Sequence, residues 1–132
     1  MIHYQETSYQ EFVKVNGMHE FSLAVEVIKL AQTEAEKNRA RSVSEITIEV
    51  GNMSGVEAEP FESALRLLTE GSILEKVSLN IIKIKGKGKC IACENEFEMN
   101  HRMDTCPQCG AFPSKINGGN EFRVVSLLIE EL

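Results

Sequence analysis

From Phe21 to Asn38 the apolar positions Phe21, Val25 and Ile28 recur at helical spacing, and Leu23, Val27 and Leu30 widen the stripe between good helix formers. This pattern predicts a helix. From Glu45 to Val50, charged or polar residues alternate with Ile46, Ile48 and Val50, the period of a half-buried strand, which Gly51 and Asn52 end. After a loop through Ser54, Gly55 and Val56, Pro60 suits a first helical turn, and Phe61, Ala64, Leu65 and Leu68 mark one face of a second helix ending near Gly71. Val77 to Lys85 reads as another strand, with a slip of apolar phase at Ile81 and Ile82 that suggests a bulge or burial on both faces. Phe122 to Ile129 is β-branched and apolar enough for a return strand.

The remaining segments divide the chain. Met1 to Gly17 is polar with scattered aromatics at Tyr4, Tyr9 and Phe12, and is expected to be a flexible or weakly docked arm, residues 1–17. Gly86 and Gly88 read as a loosening of the chain before a cysteine-rich segment, residues 87–118, and Gly118, Gly119 and Asn120 as a matching hinge after it. The expected fold class is α+β: two helices packed on a small mixed sheet, built from residues 18–86 and 119–132, with a ribbon-like cysteine unit inserted between two strands.

Composition narrows the class of function. The chain has 132 residues, 42% of them hydrophobic and 26% charged, with a formal net charge of −6, which disfavours a surface built to neutralise nucleic acid or anionic lipid. Lys83, Lys85, Lys87 and Lys89 are a local exception, and their alternation with apolar residues and glycine suggests the solvated face of a strand and a linker. No apolar run approaches the roughly 20 residues that span a bilayer, and no secretory signal pattern opens the chain, so a cytoplasmic protein is expected. No nucleophile elbow, phosphate-cradling glycine loop or His-Glu-x-x-His helix occurs, so no enzyme is expected.

The cysteines carry the clearest chemistry. Cys90-Ile-Ala-Cys93 and Cys106-Pro-Gln-Cys109 each place two thiolates on one tight turn, and together they supply a tetrahedral set for a closed structural zinc site. In a reducing cytosol such pairs read as metal ligands rather than disulfides. A rubredoxin-like iron site is the main competitor, because tetrahedral thiolates suit both ions. Residues 87–119 are poor in large aliphatic side chains, so without a metal the segment has little to hold it.

A second constellation, Met18-His19-Glu20 just before the first helix, has a bland explanation as acidic groups at a helix start. The run Met18-His19-Glu20-Phe21-Ser22-Leu23-Ala24, however, resembles the start of the HypA/HybF family of nickel chaperones in [NiFe]-hydrogenase maturation. The resemblance continues through Glu49-Val50-Gly51-Asn52-Met53-Ser54-Gly55-Val56-Glu57, both cysteine pairs and Gly118-Gly119-Asn120-Glu121, and so covers Met18 to Leu132. It implies a Ni(II)-binding domain joined to a zinc domain, a nickel site drawing on Met18, His19, Glu20 and Glu57, and delivery to a hydrogenase large subunit with a maturation GTPase of the HypB type. The expected assembly is a monomer or homodimer, with no nucleic acid or membrane partner.

The departure from that family is the segment before Met18, which locks the nitrogen of Met18 in a peptide bond and leaves the backbone amides, His19 and Glu20 as ligands. A Met18 start, removal of the arm, or a genuine arm with a rearranged site would each account for it. His3 and His101 are further imidazoles whose ordinary state is solvated. The competing class is a zinc-ribbon module for nucleic acid or protein binding, against which the acidic balance weighs.

Overall fold

A computed structural model describes residues 2–5 and 20–131. Among the described residues nine elements follow one another: β1 (Ile2–Gln5), α1 (Glu20–Lys37), β2 (Ala40–Gly51), α2 (Ala58–Thr69), β3 (Ser78–Ile84), β4 (Gly86–Cys90), β5 (Glu96–Met99), β6 (Pro113–Asn117) and β7 (Phe122–Glu131). They form two sheets, one ordered β1-β7-β2-β3 and one ordered β5-β4-β6. β2 runs parallel to β3 and antiparallel to β7, so the larger sheet is mixed, as the α+β reading expects.

The helices cover one face of that sheet. Ile46, Ile48 and Val50 of β2 meet Phe122, Val124, Leu127 and Ile129 of β7 in a core closed by both helices. Phe61 of α2 stands edge-on to Phe122, ring centroids 5.1 Å apart. The buried stripe of α1 is Leu23, Ala24, Val27, Ile28, Ala31 and Ala35, whereas Phe21, expected inside, is 54% exposed. The helix thus turns its alanines inward, and small side chains let it approach its neighbours closely.

Strand lengths and phases differ from the simple alternation. β2 begins five residues earlier than its periodic stretch, and the β2–β7 ladder shifts register three times, between Ala40 and Ser42, Val43 and Glu45, and Thr47 and Ile48. Each shift resets which residues face the core, so a strict period of two cannot follow the strand through it. β3, by contrast, pairs with β2 without a shift from Ser78 to Ile84. The phase slip at Ile81 and Ile82 marks neither a bulge nor burial on both faces: Ile81 packs against the core and Ile82 lies 41% exposed on the other face of an edge strand.

Of the segment expected to be a flexible or weakly docked arm, Ile2–Gln5 is docked, as an antiparallel strand on β7 with Ile2 opposite Glu130 and Gln5 opposite Leu127. The rest of that arm lies outside the described residues.

The glycines flanking the cysteine unit also serve a different purpose from the one expected. Gly86 and Gly88 lie buried within β4, where a Cβ on Gly88 would sit 2.6 Å from Met99 Sδ and 3.0 Å from the Phe97 ring. A Cβ on Gly51 would overlap the Gly119 carbonyl, and one on Gly119 would lie 2.8 Å from the Gly86 backbone. Three chain crossings are therefore stacked backbone to backbone, which is why glycine stands at each. The Met53 amide donates to the Gly119 carbonyl, and the Met53 side chain is buried with Cys90, Phe97, Met99 and Cys106 in a second core. The segment after β2 thus anchors the cysteine lobe on the larger sheet.

Candidate metal centres

The four cysteines converge from two similar turns. In the first, the Glu94 amide donates to the Cys90 carbonyl and the Cys90 amide to the Asn95 carbonyl; in the second, the Gly110 amide donates to Cys106 and the Cys106 amide to Ala111. The residue after each second cysteine is left-handed, Glu94 at φ 61° and Gly110 at φ 77°. This geometry folds each cysteine pair back on itself.

All four sulfurs lie within 4.8 Å of one another, with Cys90–Cys109 at 3.3 Å and Cys93–Cys106 and Cys93–Cys109 at 3.7 Å. An ion about 2.3 Å from four tetrahedral sulfurs sets edges of about 3.8 Å, so the cluster has the dimensions of a metal cage and not of disulfides. Cys90 and Cys106 are buried, whereas Cys93 and Cys109 are exposed, so one side of the cage faces solvent.

The thiols themselves show what the cage needs. The Cys93 amide, then that of Ala92, favours the Cys90 thiolate and lowers its pKa despite burial. Burial opposes ionisation of Cys106, but the Cys109 and Gln108 amides, Cys93 and Asn95 outweigh it and bring the thiol down to about 6. The Asn95 amide favours the Cys93 thiolate, yet burial and the neighbouring sulfurs raise its pKa on balance. At Cys109 the Ala111 amide favours ionisation, but Cys90, burial and the other cysteines push the thiol up to about 12. Four thiolates cannot ionise together at this spacing without a cation, and a divalent ion removes the conflict.

The second candidate centre lies at the other end of the β2–α2 segment. Glu57 occupies the N-cap of α2, its side chain making no capping bond, and its amide donates to Glu20 Oε1 at 3.4 Å. Glu20 and Glu57, 37 positions apart, are thereby brought together at the starts of the two helices. Met18 and His19 lie outside the described residues. The backbone of His3 is in register with Ile129, at the end of β7 beside Val43, whereas the β2–α2 segment leaves from the opposite end, where Val50 meets Phe122.

His101 is placed where spacing gave no hint. Asp104 accepts hydrogen bonds from the Asn100 and His101 amides at 2.8 and 3.1 Å, closing a turn at the tip of the cysteine lobe. Those bonds, the Asn100 bond first, hold the Asp104 carboxyl below its ordinary value of 3.8. Arg102 donates to the Met53 carbonyl at 2.8 Å, and Asn52 Nδ2 donates to Asn100 Oδ1 at 3.4 Å. The turn is thus fastened over the β2–α2 segment, and His101 and Glu57 line one open cavity of about 360 Å³. Met53, Arg102 and Asp104 are the residues that sequence reasoning missed: the first two act through contacts distant in the chain, and Asp104 closes a local turn that no periodicity or motif marks.

Comparison with known proteins gives a consistent picture. A family model described as HypA, hydrogenase/urease nickel incorporation, metallochaperone, matches residues 18–129. The chain is 40% identical over 111 residues to the hydrogenase maturation factor HypA of Francisella philomiragia, covering 84% of this chain and 98% of that protein. It is also 40% identical over 114 residues to the factor of the same name from Parabacteroides distasonis, covering 86% and 99%. Among solved structures, the solution structure of the nickel metallochaperone HypA from Helicobacter pylori matches with a TM-score of 0.59 at 28% identity, covering 87% of this chain and all of that one.

Proposed function

The chain belongs to the HypA family of metallochaperones for nickel incorporation into hydrogenase and urease, and on that footing we propose that Met18, His19, Glu20 and Glu57 form its nickel site. The protein is a nickel-incorporation metallochaperone, and Ni(II) is its cargo. The observation that supports the site is the bond from the Glu57 amide to the Glu20 carboxylate, which brings the acidic end of Gly51–Glu57 to the residue following His19. Imidazole, backbone nitrogen and carboxylate suit Ni(II), which binds above cobalt and iron in the affinity order and below copper, so selectivity rests on geometry and on the receiving partner.

Cys90, Cys93, Cys106 and Cys109 hold a structural zinc. The closed set of four sulfurs leaves no position for substrate or water, as a scaffold site requires. The role asks for release of a bound ion rather than bond chemistry, so the protein is not an enzyme. It works in the cytoplasm with a maturation GTPase of the HypB type and hands nickel to the large subunit of a [NiFe]-hydrogenase. Nucleic-acid binding is not favoured: Lys87 and Lys89 stand opposite Glu98 and Glu96 across the β4–β5 ladder, so the lysine stripe is locally balanced.

Nickel titration of the zinc-loaded chain tests the reading. His19→Ala is expected to lose nickel binding while keeping one zinc per chain, and parent-like nickel binding in that variant would remove His19 from the site. Intact mass of the native protein, with nickel titration of a Met18-start form, measures the contribution of the free amine.

A further inference from the structure

The four sulfurs of the cage are not alike. Cys90 and Cys106 sit in the small core with Met53, 1% and 2% exposed, whereas Cys93 and Cys109, one from each turn, face solvent. Their hydrogen bonds differ in the same sense. Cys90 Sγ accepts from the Ala92 and Cys93 amides at 3.4 and 3.5 Å, and Cys106 Sγ from the Cys109 and Gln108 amides and from Asn95 Nδ2. Cys93 and Cys109 each take one amide, that of Asn95 and that of Ala111. Every N–H bond draws charge from a thiolate and dulls it as a nucleophile, so burial and hydrogen bonding protect one pair and leave the other reactive. The two reactive sulfurs are also neighbours, 3.7 Å apart on the side of the cage that faces solvent.

We propose, on the footing that zinc fills the four-cysteine cage, that Cys93 and Cys109 are a peroxide-sensitive pair whose oxidation to a disulfide expels the ion and frees the segment leading to Glu57. The Cys93 thiolate attacks one oxygen of hydrogen peroxide, the O–O bond breaks, and a sulfenic acid and a hydroxide ion form. The Cys109 thiolate then attacks the Cys93 sulfur, and the S–O electron pair leaves as a second hydroxide. Two thiolates thus give two electrons to the peroxide, and the hydroxides take protons from solvent. Disulfide sulfurs are neutral and stand about 2.05 Å apart, too close for two corners of a tetrahedron with edges of about 3.8 Å. The ion keeps only Cys90 and Cys106 and is lost to water. The effect spreads through Met53, whose side chain packs beside those two cysteines and whose carbonyl accepts from Arg102. Opening of the lobe releases both contacts, and Glu57 follows Met53 at the start of α2.

The test exposes the full-length, zinc-loaded chain to hydrogen peroxide with a chromogenic chelator present, beside a sample without peroxide that sets the chelator's own rate. Zinc analysis of the reduced chain comes first: one zinc per chain secures the footing, and a chain that takes up no zinc overturns both readings. The expected result is one zinc released for every two thiols lost. N-ethylmaleimide is expected to label Cys90 and Cys106 before reduction and Cys93 and Cys109 only after it, as located by fragment masses. Dithiothreitol with added zinc restores the parent content. Zinc that stays bound as two thiols disappear, a disulfide that includes Cys90 or Cys106, or zinc lost only with all four thiols overturns the pair. Hydrogen exchange at Asn52–Glu57 is expected to speed by about tenfold or more on oxidation while the β2–β3 ladder stays protected. Unchanged exchange there overturns the link to Glu57.

Discussion

Glu94 takes the left-handed conformation that Gly110 takes in the matching turn, and a side chain there costs roughly 1 kcal/mol. Glycine would relieve that strain and return part of the gain as unfolded-chain entropy, so Glu94→Gly is expected to stabilise the zinc-loaded lobe by about 0.5 kcal/mol, seen as a higher melting temperature. Cys106→Ser acts in the other direction. It removes a buried cysteine from a lobe whose small core, among the described residues, is Met53, Phe97 and Met99 beside two cysteines, with Ala111 and Ile116 half-buried against it. Loss of zinc and of dispersed amide signals from residues 86–117 is the expected result.

Acid should act through the same four groups. The folded chain by itself lowers the Cys90 and Cys106 thiols and raises those of Cys93 and Cys109; a bound divalent ion favours all four thiolates, so the stabilisation that it gives is complete at high pH and is lost as pH falls. Each ligand that is protonated in the unfolded chain and ionised on the metal steepens that dependence. Zinc retention measured with a chromogenic chelator from about pH 8 to about pH 5 should therefore fall steeply, and a flat curve would mean that the thiolates are not the ligands.

Among the elements, the ladder β4–β5 tolerates no side chain at Gly88, where Met99 and Phe97 already occupy the space. Gly88→Ala is expected to destabilise the lobe by about 1–3 kcal/mol, read from thermal melts of the zinc-loaded protein. Sequence periodicity found both helices and most of the larger sheet because their faces alternate between core and water over many residues. It found the cysteine cage because two short motifs contain the whole ligand set. It read Gly86, Gly88, Gly118 and Gly119 as flexible because one sequence does not distinguish a glycine that frees the backbone from one that lets two backbones touch. The pairing of Glu20 with Glu57 and the placement of His101 depend on contacts 37 or more positions apart, which periodicity does not encode.

For the whole molecule, Met53 ties the two lobes. Its side chain belongs to the core of the cysteine lobe, although Gly51, two residues before it, ends β2 and accepts a bond from the Ser54 amide just after it. Met53→Ala is expected to cost about 2–5 kcal/mol and to loosen the cysteine lobe rather than the larger sheet, which hydrogen exchange resolves by segment. The strand Ile2–Gln5 likewise covers an edge of β7. Removing residues 1–17 is expected to speed exchange of the β7 amides between Leu127 and Glu130 while β2–β3 protection stays the same.

β2 and β7 lie side by side, yet the whole cysteine lobe is threaded between them. The chain must therefore close a long loop before its largest sheet can form. If zinc gathers the two knuckles first, β4 and β6 come together and the open length is roughly halved, which lowers the closure cost by only about 0.5 kcal/mol. Zinc present during refolding should speed formation of the larger sheet by no more than about threefold, so the metal's contribution lies in how long the finished lobe survives rather than in how fast the chain finds its fold.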